Sequence, residues 1–498
     1  MKAYSVIKIN FRGGIISPGQ LYNILVEVSK AGVRYVSFGL RQQLLIEVYN
    51  TGSDSLFTML EQAGAKPVRG DDGPPNICSS FPAAGVFIKN SWLTEGVYRD
   101  LFDAFDYEPG VKINICDSNQ SFTPMLTGNI NWVASAEAPH FWHLFIRYPK
   151  TNQIMEWDHC IYSNDLCHAS KLIEKWMLSD NKNADGELLW HELFTKLLNQ
   201  PYIFSRAEGN FRFPLFNVPY YEGLNTYHEK LWLGIYRRDE LFAVDFLKEM
   251  CRICLRTRIG QICCTSWKSL IVKNIEPEHR LQWSDLLAKH HVNVRHAGNE
   301  LNFQVEDNCP NGVALKQYLV KHLNDDDIRT FGIAIGIRMR RKSEVFSNIL
   351  IRQRCLVRLF GLRLLPVYDI LCSRDFNPNE RTAFIFSKNN FRWLLPEQLR
   401  RAILSFYAFQ QNSKVIPGPV ERPVMDLAPV IFRMYKCKHC ASVYDEKIGM
   451  PEAGIAAGTS WSALHPGFTC ELCDASKNDF EEADVSVLNR VSQDPAGS

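Results

Sequence analysis

Four cysteines near the C-terminus have a spacing that suits a metal ion. Cys437 and Cys440 form one C-x2-C pair, and Cys470 and Cys473 form a second pair after 29 intervening residues. Each pair can make a tight turn that presents two thiolates, so two such turns give tetrahedral S4 coordination. Zinc and iron both accept four thiolates. The spacing therefore predicts a metal site with these four ligands and leaves the choice of metal open.

The residues around the two pairs favour iron. The stretches "YKC", "VYDEKIGMPEAGIAAGT", "GFTC" and "KNDF" resemble the rubredoxin pattern over nearly all of residues 433 to 482. The resemblance implies a small domain whose single iron passes one electron at a time without a change of ligands. It also implies an aromatic core, which here would comprise Tyr435, Tyr444, Trp461, Phe468 and Phe480. We therefore expect one iron in the four-cysteine site, with zinc as the alternative.

Three positions depart from the rubredoxin pattern. The glycine that usually follows each pair is Ala441 in one turn and Asp474 in the other, and a proline common within the second pair is Glu471. Those glycines allow backbone N–H groups to point at sulfur, which tunes the reduction potential. Because Asp adopts a left-handed conformation more readily than Ala, iron binding should survive, with a shifted potential.

The long N-terminal part, here called the body, contains two similar segments, residues 6 to 48 and 231 to 275. Each has the pattern of a short strand, a loop, an amphipathic helix and an apolar β-rich run. In the first segment Pro18 can begin the helix and Gly32 can follow its end. The pattern predicts an α+β fold with a duplicated architecture.

The duplicated segments carry a second resemblance. "FRGGIISPGQL", "VRYVSFGLRQQLLIEV" and "ICCTSWKSLIVKNI" resemble the ferredoxin-like halves of siroheme nitrite and sulfite reductases, and the similarity covers much of residues 5 to 360. It implies a pseudo-twofold body, with siroheme and a [4Fe–4S] cluster between its halves. It also implies cationic side chains that bind siroheme carboxylates or the anionic substrate. Arg12, Arg41 and Lys268 fall at plausible matching positions, and guanidinium groups suit such oxyanions. The alternative for each is a solvated side chain on a sheet edge.

The cluster ligands that this resemblance implies are incomplete. The family uses C-x5-C followed by C-x3-C. Here Cys78 is followed at the sixth position by Ala84, and Cys116 is followed at the fourth position by Gln120. A [4Fe–4S] cluster normally needs four thiolates. We therefore expect no [4Fe–4S] cluster, and siroheme remains only an alternative.

These patterns predict duplicated ferredoxin-like half-domains, each followed by a siroheme-reductase-like α+β domain, and a small C-terminal rubredoxin-like domain. Four prolines between residues 414 and 430 indicate a semi-rigid tether. The expected divisions are a first half-domain (1–66), a first reductase-like domain (67–220), a second half-domain (221–290), a second reductase-like domain (291–413), a linker (414–430), the rubredoxin-like domain (431–485) and a tail (486–498).

Charge is distributed unevenly along the chain. Residues 431 to 498 contain ten acids and six bases, so the rest of the chain holds 44 acids and 50 bases out of totals of 54 and 56. A basic run from Arg338 to Arg363 has eight bases and one acid. An acidic module and a basic body favour electrostatic docking. The basic run could face that module, face siroheme carboxylates, or be a solvated surface.

The N-terminal sequence and the composition give no sign of a signal peptide or a membrane-spanning segment. The N-terminus lacks an apolar core of signal-peptide length, and no apolar run approaches the ~20 residues of a membrane span. Fifteen cysteines, an odd number, argue against a disulfide framework. We expect a cytoplasmic protein with neither membrane nor nucleic-acid partners, and its oligomeric state stays open.

The leading hypothesis is an electron-transfer protein that passes single electrons to or from a partner reductase, in nitrite, nitrate or sulfite assimilation by family resemblance. One alternative is a siroheme-dependent reductase fused to its own electron donor. Another is a zinc-stabilised scaffold of a reductase complex. The sequence leaves open whether the chain is itself an enzyme, and a carrier or reductase component is favoured over a self-contained reductase.

Overall fold

The computed structural model describes most of the body and most of the cysteine module. The described residues are 4–70, 73–88, 91–148, 154–179, 186–207, 211–340, 344–359, 362–380, 382–414, 433–440, 442–446, 448–450, 455–456, 458–470 and 472–483. The predicted linker beyond residue 414 and the predicted tail lie outside the described residues. The proposed domain boundaries therefore stay predictions.

The first predicted half-domain has the expected order of elements. Ser17 caps its first helix by accepting a hydrogen bond from the Gln20 backbone N–H at 3.2 Å, and Pro18 is the first helical residue. Gly32 follows the helix with a φ of +77°, so both predicted ends are confirmed. The elements are β1 (Tyr4–Asn10), β2 (Ile15–Ile16), α1 (Pro18–Lys30), β3 (Tyr35–Phe38), β4 (Gln43–Tyr49), α2 (Asn50–Gln62) and β5 (Pro67–Arg69).

A six-stranded mixed sheet follows in the chain. Its strand order is β11-β10-β9-β8-β7-β6, with parallel pairing at β6–β7–β8 and antiparallel pairing elsewhere. The elements are β6 (Cys78–Ser79), α3 (Glu95–Ala104), β7 (Ile113–Cys116), β8 (Ile130–Ala134), β9 (Phe141–Arg147), β10 (Ile154–Tyr162), α4 (Leu166–Leu178), α5 (Gly186–Leu198) and β11 (Phe204–Arg206).

The second predicted half-domain repeats the first. A strand, a two-residue strand, a 13-residue helix and a hairpin occur in the same order in both halves. The elements are β12 (Gly223–Tyr227), β13 (Lys230–Ile235), β14 (Phe242–Ala243), α6 (Val244–Arg256), β15 (Ile262–Cys264), β16 (Leu270–Ile275) and α7 (Arg280–Lys289). The duplicated architecture predicted from the sequence is confirmed.

The remaining body elements form a second mixed sheet of order β17-β18-β19-β20-β21. As in the six-stranded sheet, the first three strands in chain order pair in parallel and the later strands pair antiparallel. The elements are α8 (Gly298–Leu301), β17 (Phe303–Val305), α9 (Pro310–Asp325), β18 (Ile335–Arg338), β19 (Ile349–Leu359), β20 (Leu362–Ser373), β21 (Ala383–Asn390) and α10 (Leu395–Lys414).

The two half-domains interlock. The short β14 pairs with β3 of the first half, and the short β2 pairs with β15 of the second half. Helices α1 and α6 pack against each other, and buried side chains from both halves form one core. The halves are therefore one structural unit, since each completes a sheet of the other.

The C-terminal module is a three-stranded antiparallel sheet of order β23-β22-β24, made of β22 (Met434–Cys437), β23 (Val443–Asp445) and β24 (Phe480–Glu482). The whole chain thus has the predicted α+β class, with a small separate sheet at the C-terminus. Across the described residues, no helix is long and apolar enough to cross a bilayer.

Candidate metal centre

The four predicted ligands converge between two turns of the C-terminal module. Their Sγ atoms all lie within 4.8 Å of one another. Cys437 Sγ is 3.6 Å from Cys473 Sγ, and Cys440 Sγ is 3.3 Å from Cys470 Sγ. Tetrahedral metal–sulfur bonds of about 2.3 Å hold sulfurs about 3.8 Å apart, so these thiolates fit one ion. Elsewhere in the described part of the chain, no three His, Cys, Asp or Glu side chains converge in this way.

Donor groups around Cys470 favour its thiolate, which is the form that binds a metal. The Cys440 thiol has the largest influence, and the Ser442 hydroxyl lies 2.9 Å from Cys470 Sγ. The backbone N–H groups of Leu472 and Cys473 also donate to this sulfur. Together they outweigh burial and lower the pKa of Cys470 to about 5. The turn therefore supplies N–H groups that stabilise ligand charge and tune a bound metal.

Asp474 has the left-handed backbone that the sequence comparison anticipated. Its φ is +60°, and its backbone N–H donates to the Cys470 carbonyl at 2.7 Å. An aspartate therefore closes the second turn where rubredoxins usually have glycine. Ala441 and Glu471, the other two departures, lie outside the described residues.

The predicted aromatic core is present. Trp461 is its centre, with ring centroids at 4.4 Å from Tyr435, 5.0 Å from Phe480 and 5.5 Å from Phe468. Tyr444 contacts both Trp461 and Phe468. Since the module is too small for an extended aliphatic core, these five rings supply most of its packing beside the metal site.

The metal site is shielded on one side and open on the other. Cys437 and Cys470, the first cysteine of each pair, are buried, whereas Cys440 and Cys473 are only partly buried. The second cysteine of each pair and the intervening Leu472 thus form the accessible edge of the site, here called the knuckle edge. An electron would enter or leave by this edge, because the opposite side is covered by protein.

The knuckle edge contacts the body. Arg352 Nη1 donates to the Leu472 carbonyl at 3.3 Å. A cavity of about 180 Å³ lies beside this contact, and Cys440, Leu472, Arg147 and Arg338 are among the residues that line it. Arg338 and Arg352 belong to the basic run identified in the sequence. Of the three possibilities for the basic run, facing the module is the one that Arg352 fits, through a backbone carbonyl rather than an acidic side chain.

A larger cavity of about 1120 Å³ lies in the body. Arg41 and Lys112 line it together with Glu344. The next residue, Val345, lines the smaller cavity beside the knuckle edge. Consecutive residues of one segment therefore border the two cavities.

Arg41 is held rigidly in the wall of the large cavity. Only 5% of the residue is exposed, and its Nη2 donates to the carbonyls of Asn76 and Ile113 at 2.7 and 3.1 Å. Its buried Nε has no hydrogen-bond partner in the structure. The guanidinium of Arg41 thus connects two backbone segments and still has one N–H donor, at Nε, that makes no hydrogen bond.

Glu344 is the counter-charge of this wall. It pairs with Lys112 and lies 3.9 Å from Arg41 Nη1. Burial acts to raise the pKa of Glu344, but Lys112, then Arg41 and Arg147, hold it below its ordinary value. An internal carboxylate therefore occupies a position where three cations converge, and such a position suits an anion.

We expect Glu344→Gln to make the thermal stability of the protein depend on a bound anion. Without the carboxylate, Lys112, Arg41 and Arg147 lose their counter-charge, at a cost of about 1–3 kcal/mol. Thermal unfolding in chloride and in sulfate measures the effect, and sulfate should restore the lost melting temperature of the variant. Glu108→Gln, which removes an exposed partner of Lys66, is the control. Equal sulfate stabilisation of both variants would contradict the assignment.

Arg12 and Lys268 have other partners. Arg12 Nη1 donates to the carbonyls of Phe102 and Phe105 at 3.0 and 2.6 Å, at the end of α3, where a cation is favourable. Lys268 Nζ lies 2.6 Å from Glu240 Oε2 and 3.5 Å from Asp307 Oδ1. Neither side chain lines the large cavity, whereas Arg41 does. An anion-binding role for the three residues stays a prediction.

The duplication relates Lys268 to Gln42 rather than to Arg41. Both residues have left-handed backbones, with φ of +54° and +58°. Both donate their backbone N–H to the carbonyl three residues earlier, Thr265 in one hairpin and Gly39 in the other. The two halves therefore share this turn geometry while differing in the charge that the turn carries.

The two positions at which the cluster motif lacks a cysteine take part in hydrogen bonds. Cys78 and Cys116 are buried on the adjacent parallel strands β6 and β7. The Ala84 carbonyl accepts a hydrogen bond from the buried Lys273 Nζ at 3.1 Å. Gln120 exchanges two hydrogen bonds with the Thr123 backbone, at 2.7 and 3.0 Å. Of the two positions without cysteine, Gln120 thus closes its own loop, and Ala84 contacts the second half of the body through Lys273.

Sequence reasoning missed the ion cluster around Glu344. Lys112 and Arg147 carry no local motif, and they meet Glu344 only in the folded chain. A signal was present at Glu344, since it is the single acid within the basic run. An isolated acid among eight bases is a candidate for a charge-pairing role.

Comparison with known proteins agrees with both parts of the chain. The family described as Rubredoxin matches residues 434–480. The chain is 39% identical over 54 residues to "Rubredoxin 4" of Rhodococcus sp. (strain Q15), a stretch covering 11% of this chain and 90% of that protein. It is 43% identical over 53 residues to "Rubredoxin" of Acinetobacter baylyi, covering 11% and 98%. It is 46% identical over 48 residues to "High molecular weight rubredoxin" of Moorella thermoacetica, covering 10% and 21%.

The overall fold is similar to that of the solved structure of the Mycobacterium tuberculosis NirA protein. The TM-score is 0.62 at 13% sequence identity, and the likeness covers 82% of this chain and 83% of the other. At this identity the likeness concerns the fold. Both resemblances noted in the sequence are therefore confirmed, that of the body at the level of its fold. The four-cysteine site supports one iron ion.

Proposed function

The chain belongs to the rubredoxin family through its C-terminal domain, and from this premise we propose that it is a carrier of single electrons for a reductase. One iron would be held by Cys437, Cys440, Cys470 and Cys473 and would exchange electrons through the knuckle edge. Nitrite, nitrate or sulfite assimilation is the proposed setting, because the body has the fold of the NirA protein and resembles siroheme reductases in sequence. The predicted cytoplasmic location remains a prediction.

The observation that carries this proposal is the convergence of four thiolates beside an aromatic core. The Sγ atoms lie within 4.8 Å of one another, and Cys440 and Cys473 remain partly accessible. A closed S4 shell leaves no ligand position for a substrate, so a bound iron can change its charge without binding a reactant. Electron transfer rather than substrate chemistry is the function that suits such a site.

The contact between the knuckle edge and the body supports a second candidate, a reductase fused to its own donor. Val345 borders the cavity beside Cys440, and Glu344 borders the large cavity. The large cavity has the volume that a macrocycle would need, and Arg41 and Lys112 in its lining could bind carboxylates. Its lining as a whole holds five basic and five acidic side chains, which suits a polyanion less well. The incomplete cysteine motif at Ala84 and Gln120 counts against a family-type cluster there.

Metal analysis with a visible spectrum tests the proposal. For a chain purified without a metal-affinity step, we expect one iron per four-cysteine site and thiolate-to-iron bands that bleach on reduction. Additional macrocycle bands would favour the second candidate. Zinc alone, found again after iron-replete expression, would refute electron transfer and favour a zinc-stabilised scaffold.

A further inference from the structure

Three arginines, one buried and two partly buried, lie on the face of the body that meets the knuckle edge. Arg147 and Arg338 line the cavity beside Cys440, and Arg352 donates to the Leu472 carbonyl. The Arg338 Nε is buried and has no hydrogen-bond partner in the structure. We call these three side chains the arginine face. Three arginines therefore lie next to the knuckle edge, two across the small cavity and one in direct contact with it.

The arginine face is not fully neutralised by its own neighbours. Arg352 Nη2 is 2.8 Å from Asp369 Oδ2, and Arg354 shares the same carboxylate at 3.3 Å. Arg147 Nη2 donates to the Thr127 carbonyl, which carries no net charge. Glu344 and Glu306 attract Arg147 and Arg338, but Glu344 also pairs with Lys112 and Arg41, and Glu306 lies 3.8 Å from Arg340. Each of these carboxylates therefore serves more than one cation, and positive charge exceeds negative charge at this face.

The charge of the occupied site depends on its oxidation state. A ferric ion with four thiolates carries one net negative charge, and a single added electron raises this to two while the ligands stay in place. Nearby guanidinium groups stabilise the ferrous state more than the ferric state, because attraction scales with charge and is strong where water is excluded. The same groups must then hold the ferrous domain more tightly than the ferric domain, since the linkage is reciprocal.

We propose that the arginine face is a redox-linked dock for the knuckle edge of the same chain. Reduction tightens the contact between module and body, and oxidation loosens it and frees the knuckle edge for another protein. This inference rests on iron binding at the four-cysteine site and goes beyond it, because it assigns a function to the body whether or not the large cavity holds a cofactor.

The midpoint potential of the iron-loaded full chain tests the dock. In a spectroelectrochemical titration, Arg338→Met should lower the potential, and Arg338→Lys should stay near the unmodified protein because it keeps the charge. Arg252→Met, which removes an arginine that contacts Tyr22, is the matched control. Coincident potentials for Arg338→Met and Arg252→Met would overturn the proposal. Failure to load iron would instead refute the proposed function.

A second measurement uses the unmodified chain. Backbone hydrogen exchange in residues 345–350 should be about fivefold or more slower in dithionite-reduced than in oxidised protein, the lower end of usual coupling strengths. Zinc-loaded protein has the ferrous charge permanently, so it should exchange at the slow rate with or without dithionite. Equal exchange in the ferric and ferrous proteins would overturn the redox linkage.

Discussion

Replacing Cys470 by serine is expected to abolish stable iron binding and to unfold the C-terminal domain at physiological temperature. Cys470 is 1% exposed and contacts both Cys440 Sγ and Ser442 Oγ. A serine hydroxyl is a poor ligand here because it does not ionise near neutral pH. Metal binding and folding are coupled in small metal domains, where the metal contributes on the order of 10 kcal/mol. Iron content and the thiolate-to-iron bands measure the loss.

A cysteine outside the site provides the control for this experiment. Cys355 is partly exposed on β19, and Cys355→Ser should retain full iron content and an unchanged spectrum. Body unfolding should be similar in both variants, because the aromatic core of the metal domain is separate from the core of the body. Unchanged iron content in the Cys470→Ser protein would refute the ligand assignment.

Lys268→Met is expected to destabilise the body by about 3–5 kcal/mol, the usual cost of removing one partner of a buried ion pair. The lysine is 4% exposed, and its Nζ donates to Glu240 Oε2 at 2.6 Å and to the Glu306 carbonyl at 3.0 Å. Methionine fills a similar volume but leaves Glu240 and Asp307 without a cation. Urea unfolding followed by tryptophan fluorescence measures the change.

The loss of unfolding free energy caused by Lys268→Met should become smaller as the pH falls. Burial already raises the pKa of Asp307 above its ordinary value, and Lys268 opposes that rise. Without the lysine, folded Asp307 binds its proton at a higher pH than the same group does in the unfolded chain. Stability therefore rises toward acidic pH in the variant relative to the unmodified protein.

Lys66→Met is the matched control for Lys268→Met. The Lys66 side chain is 79% exposed and pairs with Glu108 at 2.9 Å. Such a surface pair contributes only about 0–1 kcal/mol. Equal unfolding midpoints for the two variants at neutral pH would show that Lys268 does not neutralise buried carboxylates.

The sequence by itself determined the metal domain almost completely. Its four ligands lie in two short turns, so their convergence follows from local spacing and needs only one pairing between the turns. The aromatic core around Trp461 could also be predicted from the sequence, because a domain of this size has few other side chains to bury. In the body, the repeated order of strand and helix was visible because hydrophobic periodicity is a local property.

Tertiary structure alone decided how the halves combine and where the charges meet. The exchange of β2 and β14 between half-domains involves two-residue strands, which are too short to leave a periodic signal. Arg41, Lys112, Arg147 and Glu344 come from four distant parts of the chain, and buried ion clusters of this kind have no fixed spacing. The dock at Arg352 likewise depends on contact between a surface of the body and a domain that follows it in sequence. Long-range charge complementarity is set by the folded shape, whereas the metal ligands were set by the local turn.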